Sequence, residues 1–257
     1  MSLAREYRRQ LEWRDWPRVL DALPSLGGQL VLDLGCAVGD QAAALAARGA
    51  RVIGVDLNEE LLAEARSRSI DGAEFRLLDL RTLPDLGVVA DGIWSSLAAA
   101  YFPDLPRVLR SWARHLRPGG WIALTEIDDL WAHEPLGAEA RAVLDAYARE
   151  ALEAGRYDFR MGRKLATSLE ACGFTVTRTM TLEDRELSFA GPAPPEILDA
   201  WRARLDRLKP LQELCGARFE DVRADYLRCL AHPDHRCGAT VLCCIATRGE
   251  RDRPPAP

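Results

Sequence analysis

The chain is predicted to fold as an α/β protein, with a seven-stranded, mainly parallel sheet covered by helices on both faces. Three observations carry that expectation. Short apolar runs alternate with amphipathic ones along most of the 257 residues, as a doubly covered sheet requires. The first run, Val31–Leu34, ends in the tight turn Gly35-Cys36-Ala37-Val38-Gly39 before the helix-forming stretch Gln41–Ala47. The second, Arg51–Asp56, ends in an acid 21 positions beyond Gly35. That is near the spacing of about 20 at which a carboxylate reaches ribose hydroxyls in open α/β sheets.

Composition sets the bounds. A chain of this length can form one large α/β domain with a sizeable core or two small ones, and a single domain over 1–257 is the reading adopted. Its formal net charge of −5 argues against nucleic acid as a partner, which calls for a basic face. No apolar run approaches the ~20 residues of a membrane span. Met1–Glu6 has no signal-peptide core, so the expected location is the cytoplasm. Seven cysteines, an odd number scattered along the chain, read as reduced thiols.

In chain order, residues 1–28 are expected to be a helical flap. Leu3, Tyr7 and Leu11 recur at helical spacing, and Pro17 suits the first turn of a second helix after Asp15. The dense set Tyr7, Arg8, Trp13, Arg14 and Trp16 reads either as a docked helix with solvated arginines or as a cover over a ligand, with Arg14 or Tyr7 meeting its carboxylate. At the glycine turn the absent side chains open the backbone to a ligand, and the helix that follows favours an anionic group. A dinucleotide fingerprint wants glycine at the first, third and sixth positions. Gly35, Ala37 and Asp40 stand there, and the last fails.

The stretch Asp33-Leu34-Gly35-Cys36-Ala37-Val38-Gly39 resembles the first motif of class I S-adenosylmethionine (SAM)-dependent methyltransferases, an acid followed by a loose Gly-x-Gly-x-Gly, with Ala37 in the middle glycine's place. Asp56-Leu57 is similar to the second motif, which implies an acid on the ribose and an apolar residue against the adenine. Asp79-Leu80, closing the run Ala73–Leu78, is similar to the third. There the resemblance implies a carboxylate accepting from the adenine amine and a leucine covering the ring. Leu116-Arg117-Pro118-Gly119-Gly120 resembles the family's turn into the fifth strand. These matches span residues 29–127, read as the SAM-binding core of a Rossmann-like fold. The resemblance further implies that the last strand inserts antiparallel between strands five and six.

Elsewhere the residues speak for themselves. Asn58 is expected to cap a helix with an acidic start and a basic end. Ala90–Ser96 reads as the fourth strand, with Ser95 and Ser96 at its tip beside the methionine part of the cofactor. Leu105–Leu116 marks one helix face stopped by Pro118-Gly119-Gly120, with His115 structural at its end. Helical insertions at 128–172 and 190–236 are expected to form a substrate lid. The first holds an amphipathic helix through Leu136–Ala151 and a second helix over 164–171. The second holds a helix from Ile197 to Leu208 stopped at Pro210, then another through Phe219–Leu230. Between them, Phe174–Phe189 alternates as an edge strand. The last strand is expected over residues 237–248, before a proline-rich tail at 251–257.

The reading is a methyltransferase using SAM, with S-adenosylhomocysteine (SAH) as product. Its acceptor is an O, N or C atom of a small-molecule metabolite or natural-product intermediate, anionic or aromatic. The cofactor set is Asp33, Gly35, Ala37, Gly39, Asp56, Leu57, Asp79, Leu80, Ser95 and Arg14. Candidate bases are His133, Tyr101 and Asp128, then Tyr157 and His232. A general base is required only where the nucleophile arrives protonated. Arg156, Arg160, Arg163 and Lys164 read as a solvated face or an anion clamp. Trp131, Phe102, Trp201, Phe219 and Tyr226 read as core or as a pocket wall. No metal is expected, because Cys229, His232, His235 and Cys237 lie too close together for paired zinc ligands. Oligomeric state is left open. The competing readings are a nicotinamide-dependent oxidoreductase and a non-catalytic SAM-binding regulator.

Overall fold

The computed structural model describes residues 3–249, with side chains from Tyr7 onward; the tail at 251–257 lies outside the described residues. Two short helices come first, α1 (Leu3–Leu11) and α2 (Trp16–Leu20), the second opened by Asp15, whose carboxylate accepts from the Arg18 N–H at 3.4 Å. The alternating core follows as β1 (Leu30–Leu34), α3 (Asp40–Ala46), β2 (Arg51–Asp56), α4 (Glu59–Ser67), β3 (Ala73–Leu77), β4 (Ala90–Ser96), α5 (Leu105–Ala113) and β5 (Leu116–Asp128). Val31, Leu32 and Leu34 are fully buried, as expected for a strand covered on both faces. Asn58 caps α4 by accepting from the Leu61 N–H at 3.1 Å.

Beyond β5 come β6 (His133–Glu134), α6 (Ala138–Glu153), α7 (Leu165–Glu170), β7 (Phe174–Leu182), α8 (Pro195–Arg207), α9 (Lys209–Cys215), α10 (Phe219–Leu230), β8 (Arg236–Cys237) and β9 (Thr240–Arg248). The main sheet has seven strands in the order β3-β2-β1-β4-β5-β9-β7, with β9 antiparallel to both neighbours. The fold class and the inserted last strand are therefore as the sequence implied. One core on each face holds the sheet, and the larger continues into α6, α8 and α10.

Four expectations about elements are corrected. The edge strand ends at Leu182 rather than Phe189, and the chain then turns to make bridges from Asp184 to Arg14 and Ser188. Pro210 ends nothing by itself: it sits in the first turn of α9, where its missing N–H has no helical partner to lose. Helix α7 is not part of a lid, since Leu165 and Leu169 are buried in the second core. The fifth strand begins at Leu116, so the Pro118-Gly119-Gly120 turn lies within it rather than before it. Among the described residues no helix is long and apolar enough to cross a membrane.

Candidate active site

The carboxyl ends of β1, β2 and β4 meet at one rim of the sheet, and the glycine turn forms its centre. Gly35 and Gly39 have φ of +86° and +76°, a region where a side chain is strained. The Gly35 and Cys36 N–H groups donate to the Val55 carbonyl at 2.8 and 3.1 Å, lashing the turn to β2. Asp56 then bridges two loops. Its Oδ2 accepts from the Ala37 N–H at 2.8 Å and its Oδ1 from the Asn58 N–H at 2.9 Å. On the far side Arg68 donates to the Val38 carbonyl and to Asp40 Oδ1, each at 2.6 Å. Leu57 stands exposed beside Asp56, as does Leu77 at the end of β3. Asp79 remains half-exposed and accepts from the Arg81 N–H at 2.9 Å. That backbone hydrogen bond, helped by the Arg81 guanidinium, holds its carboxyl below the ordinary value.

Two adjoining chambers open from this rim. The first is lined by the turn (Cys36, Ala37, Val38), the start of α3, Ser96 and the N-terminal helices. The second is lined by Tyr101, Ile127, Leu130, Tyr157, Leu187, Arg204 and Arg207. Tyr7, Gln10, Arg14 and Leu97 belong to both and form the wall between them. Tyr101 and Tyr157 meet edge to face with ring centroids 4.9 Å apart.

Behind that wall lies a buried ionic cluster. Arg14 donates from Nε to Asp184 Oδ2 at 2.6 Å and from Nη2 to Glu186 Oε2 at 3.0 Å. Arg204 pairs with Glu186 Oε1 at 2.5 Å, and Gln10 donates to the same oxygen at 3.2 Å. Burial alone would raise the Glu186 carboxyl, but Arg204 and Arg14 together hold it below its ordinary value. Sequence reasoning missed Asp184, Glu186 and Arg204. A signal existed: Met180, Leu182, Asp184 and Glu186 share one parity and all four are buried. Acids on an inward-facing parity demand cations across from them.

Several expected site residues point elsewhere. Asp33 is 2% exposed. Burial, reinforced by Asp56 and Asp40, pushes its carboxyl up to about 8, so it is a neutral acid beneath the turn rather than a ligand contact. Ser95 is also buried and donates to the Leu34 carbonyl at 2.8 Å; Ser96, one residue on, lines the first chamber. Leu80 packs into the second core instead of standing at the rim. Arg14 does reach the wall, but its cation meets the chain's own carboxylates.

The candidate bases separate in the same way. His133 is fully buried between Trp201 and Tyr226, with Nδ1 3.0 Å from His235 Nε2. Burial, then His235 and Arg141, lowers it to about 3. It faces neither chamber. Asp128 accepts from Arg163 Nε at 2.8 Å and from the Arg163 N–H at 3.2 Å. The neighbouring cations are paired locally, Arg156 with Glu150, Arg160 with Asp129 and Lys164 with Asp158, so no anion clamp forms there. Trp131, Trp201 and Tyr226 pack on one another where α8 and α10 meet the sheet's larger core, Phe219 packs against the same core and Phe102 lies in the opposite one. None of the five lines either chamber. His232 accepts from the Asp234 N–H at 3.1 Å, while Cys237 meets the Leu187 carbonyl at 3.5 Å. Of the named bases, Tyr101 and Tyr157 line the second chamber.

Comparison with known proteins agrees with this geometry. Residues 31–120 match the family model described as a methyltransferase domain. The chain is 34% identical over 192 residues to the nocamycin O-methyltransferase of Saccharothrix syringae, covering 66% of this chain and 67% of that one. It is 34% identical over 131 residues to the 27-O-demethylrifamycin SV methyltransferase of Amycolatopsis mediterranei, covering 49% and 47%. The chain thus spans two thirds of the first relative and about half of the second. A crystal structure of an S-adenosylmethionine dependent methyltransferase from Mesorhizobium loti shares the fold, with a TM-score of 0.55, 23% identity and coverage of 91% and 97%. The chain belongs to the class I S-adenosylmethionine-dependent methyltransferases.

Proposed function

We propose that this enzyme methylates a small-molecule metabolite or natural-product intermediate, with SAM in the first chamber and the acceptor in the second. The observation that carries the reading is the shared wall: one chamber touches the glycine turn, the other does not, and the two meet at Tyr7, Gln10, Arg14 and Leu97. The names of the two relatives, a nocamycin O-methyltransferase and a 27-O-demethylrifamycin SV methyltransferase, support the same class of acceptor.

The residues present fit the cofactor. Ser96 Oγ is buried without a hydrogen-bond partner among the described residues, an arrangement that costs energy until a ligand supplies one. It would meet the methionine end. Asp56 uses one lone pair on each oxygen for Ala37 and Asn58, leaving capacity for ribose hydroxyls. Gly35, Ala37 and Gly39 present backbone rather than bulk. Leu57 offers an apolar face to the adenine, and Asp79 an acceptor to its amine. SAM supplies a methyl carbon made electrophilic by the sulfonium. The protein's task is then to align the acceptor and exclude water, and helices α1 and α2 close over the chamber to do so.

Calorimetric titration with SAH tests this. Asp56→Ala is expected to weaken binding by about 1–3 kcal/mol, the usual cost of removing a hydrogen-bonded charged partner. Unchanged affinity would take Asp56 out of the site.

A further inference from the structure

We propose that the second chamber selects an acceptor that arrives as an oxyanion, a carboxylate or an ionised enol, gripped by Arg204 together with Tyr101 and Tyr157. This rests on the reading of that chamber as the acceptor side.

The described polar groups lining it are phenols, guanidinium groups and one amide. None of the described lining residues is Asp, Glu or His. Phenols stay protonated at neutral pH and act as donors. Burial, with Glu126 and Tyr101 adding to it, pushes the Tyr157 phenol well above its ordinary value, so it holds its proton more firmly still. The carboxylates that neutralise Arg14 and Arg204 lie behind the wall, fully buried. The face presented to the chamber is consequently donor-rich, with no carboxylate among its described lining residues. Arg204 adds a specific opening: its Nη2 is taken by Glu186, while its buried Nε–H has no acceptor among the described residues. A buried donor left without an acceptor is costly, and a substrate oxyanion that displaces the packing over this group would satisfy it.

The step balances without a base. An oxygen lone pair of the ionised acceptor forms the O–CH3 bond as the C–S bond breaks, and that bond's electrons return to sulfur. The anionic acceptor becomes a neutral ester or enol ether, the sulfonium becomes the thioether of SAH, and no proton is transferred. An amine cation or an alcohol would have to lose a proton to a group that the described lining does not offer.

The test pairs carboxylates and 1,3-dicarbonyl enols with the corresponding amides, alcohols and amines. Each is offered to the enzyme with SAM, with products read by mass spectrometry, and to the SAH complex, with binding read by calorimetry. Transfer and binding are expected only for the ionised acids. For a carboxylate, kcat/KM should be level from about pH 8 to 9, above an ordinary carboxyl pKa and above the buried Glu126 carboxyl behind Tyr101, pushed up to about 7. For an enol it should climb to the enol's own pKa and then level, which separates the two sources. Arg204→Gln and Tyr157→Phe should each weaken acceptor binding about tenfold, the loss of one charge-assisted or buried hydrogen bond, and leave SAH affinity unchanged. Tyr157→Phe keeps the test open should Arg204→Gln fail to fold. Transfer to the neutral partners, no binding of any ionised acid to the SAH complex, or unaltered acceptor affinity in Tyr157→Phe would overturn the proposal alone. Absence of SAH binding would overturn the methyl-transfer reading with it.

Discussion

The sheet rim and the wall between the two chambers are built by different means. The rim, from Gly35 to Ser96, is made largely of backbone: N–H groups tied to Val55, a carboxylate bridging Ala37 and Asn58, and parallel strands that fix their relative heights. The wall is made of side chains that come from remote stretches of the chain. Arg14 pairs with Asp184 across 170 positions, and Arg204 with Glu186 across 18. A backbone site suits a ligand that stays constant, because most side chains around it are free to vary. A side-chain site suits a ligand particular to one enzyme. In the proposed function the common cofactor would meet the first kind of surface and the acceptor the second.

Breaking the wall should therefore cost folding, while altering the rim should mostly cost binding. The largest effect is expected at Arg14. Arg14→Ala leaves Asp184 and Glu186 buried with Arg204 as the remaining cation of the described cluster, and losing one partner of a buried ionic cluster costs about 3–5 kcal/mol. Urea unfolding would measure it, and a loss below 1 kcal/mol would show that the cluster relaxes or hydrates.

Glu126 tests the seam between the two regions. It is fully buried on β5, where it accepts from the Ala100 N–H at 2.9 Å and so sets the turn that carries Tyr101. Burial pushes its carboxyl up to about 7. The folded state then keeps a proton that the unfolded chain has released at an ordinary carboxyl pKa of about 4.3. Its contribution is fully present below that value and is lost as pH rises toward 7. The change is on the order of 3–4 kcal/mol. Glu126→Gln should flatten this part of the stability–pH curve, as chemical denaturation between pH 4 and 8 would record. An unaltered slope would assign the dependence to other groups.

The smallest effect is expected on the rim's periphery. Asn58→Ala removes the α4 cap, worth about 1 kcal/mol, and should lower the melting temperature by a few degrees. SAH affinity should move less than in Asp56→Ala, since Asp56 keeps its hydrogen bond from the backbone N–H of residue 58.

The sequence by itself determined the sheet, the glycine turn and the acid ending β2, because these depend on local periodicity and on spacings within one βαβ unit. Even the cap at Asn58 was legible, as a cap is a contact over three residues. Only the tertiary structure decided which way individual groups face. Ser95 and Ser96 are adjacent on one strand and necessarily point to opposite sides, and the packing of β1 alone settles which of them meets the chamber. His133 looked available because it follows β5, yet Trp201 on α8, Tyr226 on α10 and His235 close around it. Arg14 looked poised for a ligand, yet two acids more than 160 positions away claim it. Charge pairing over such distances follows from how the elements pack, and no local pattern encodes it.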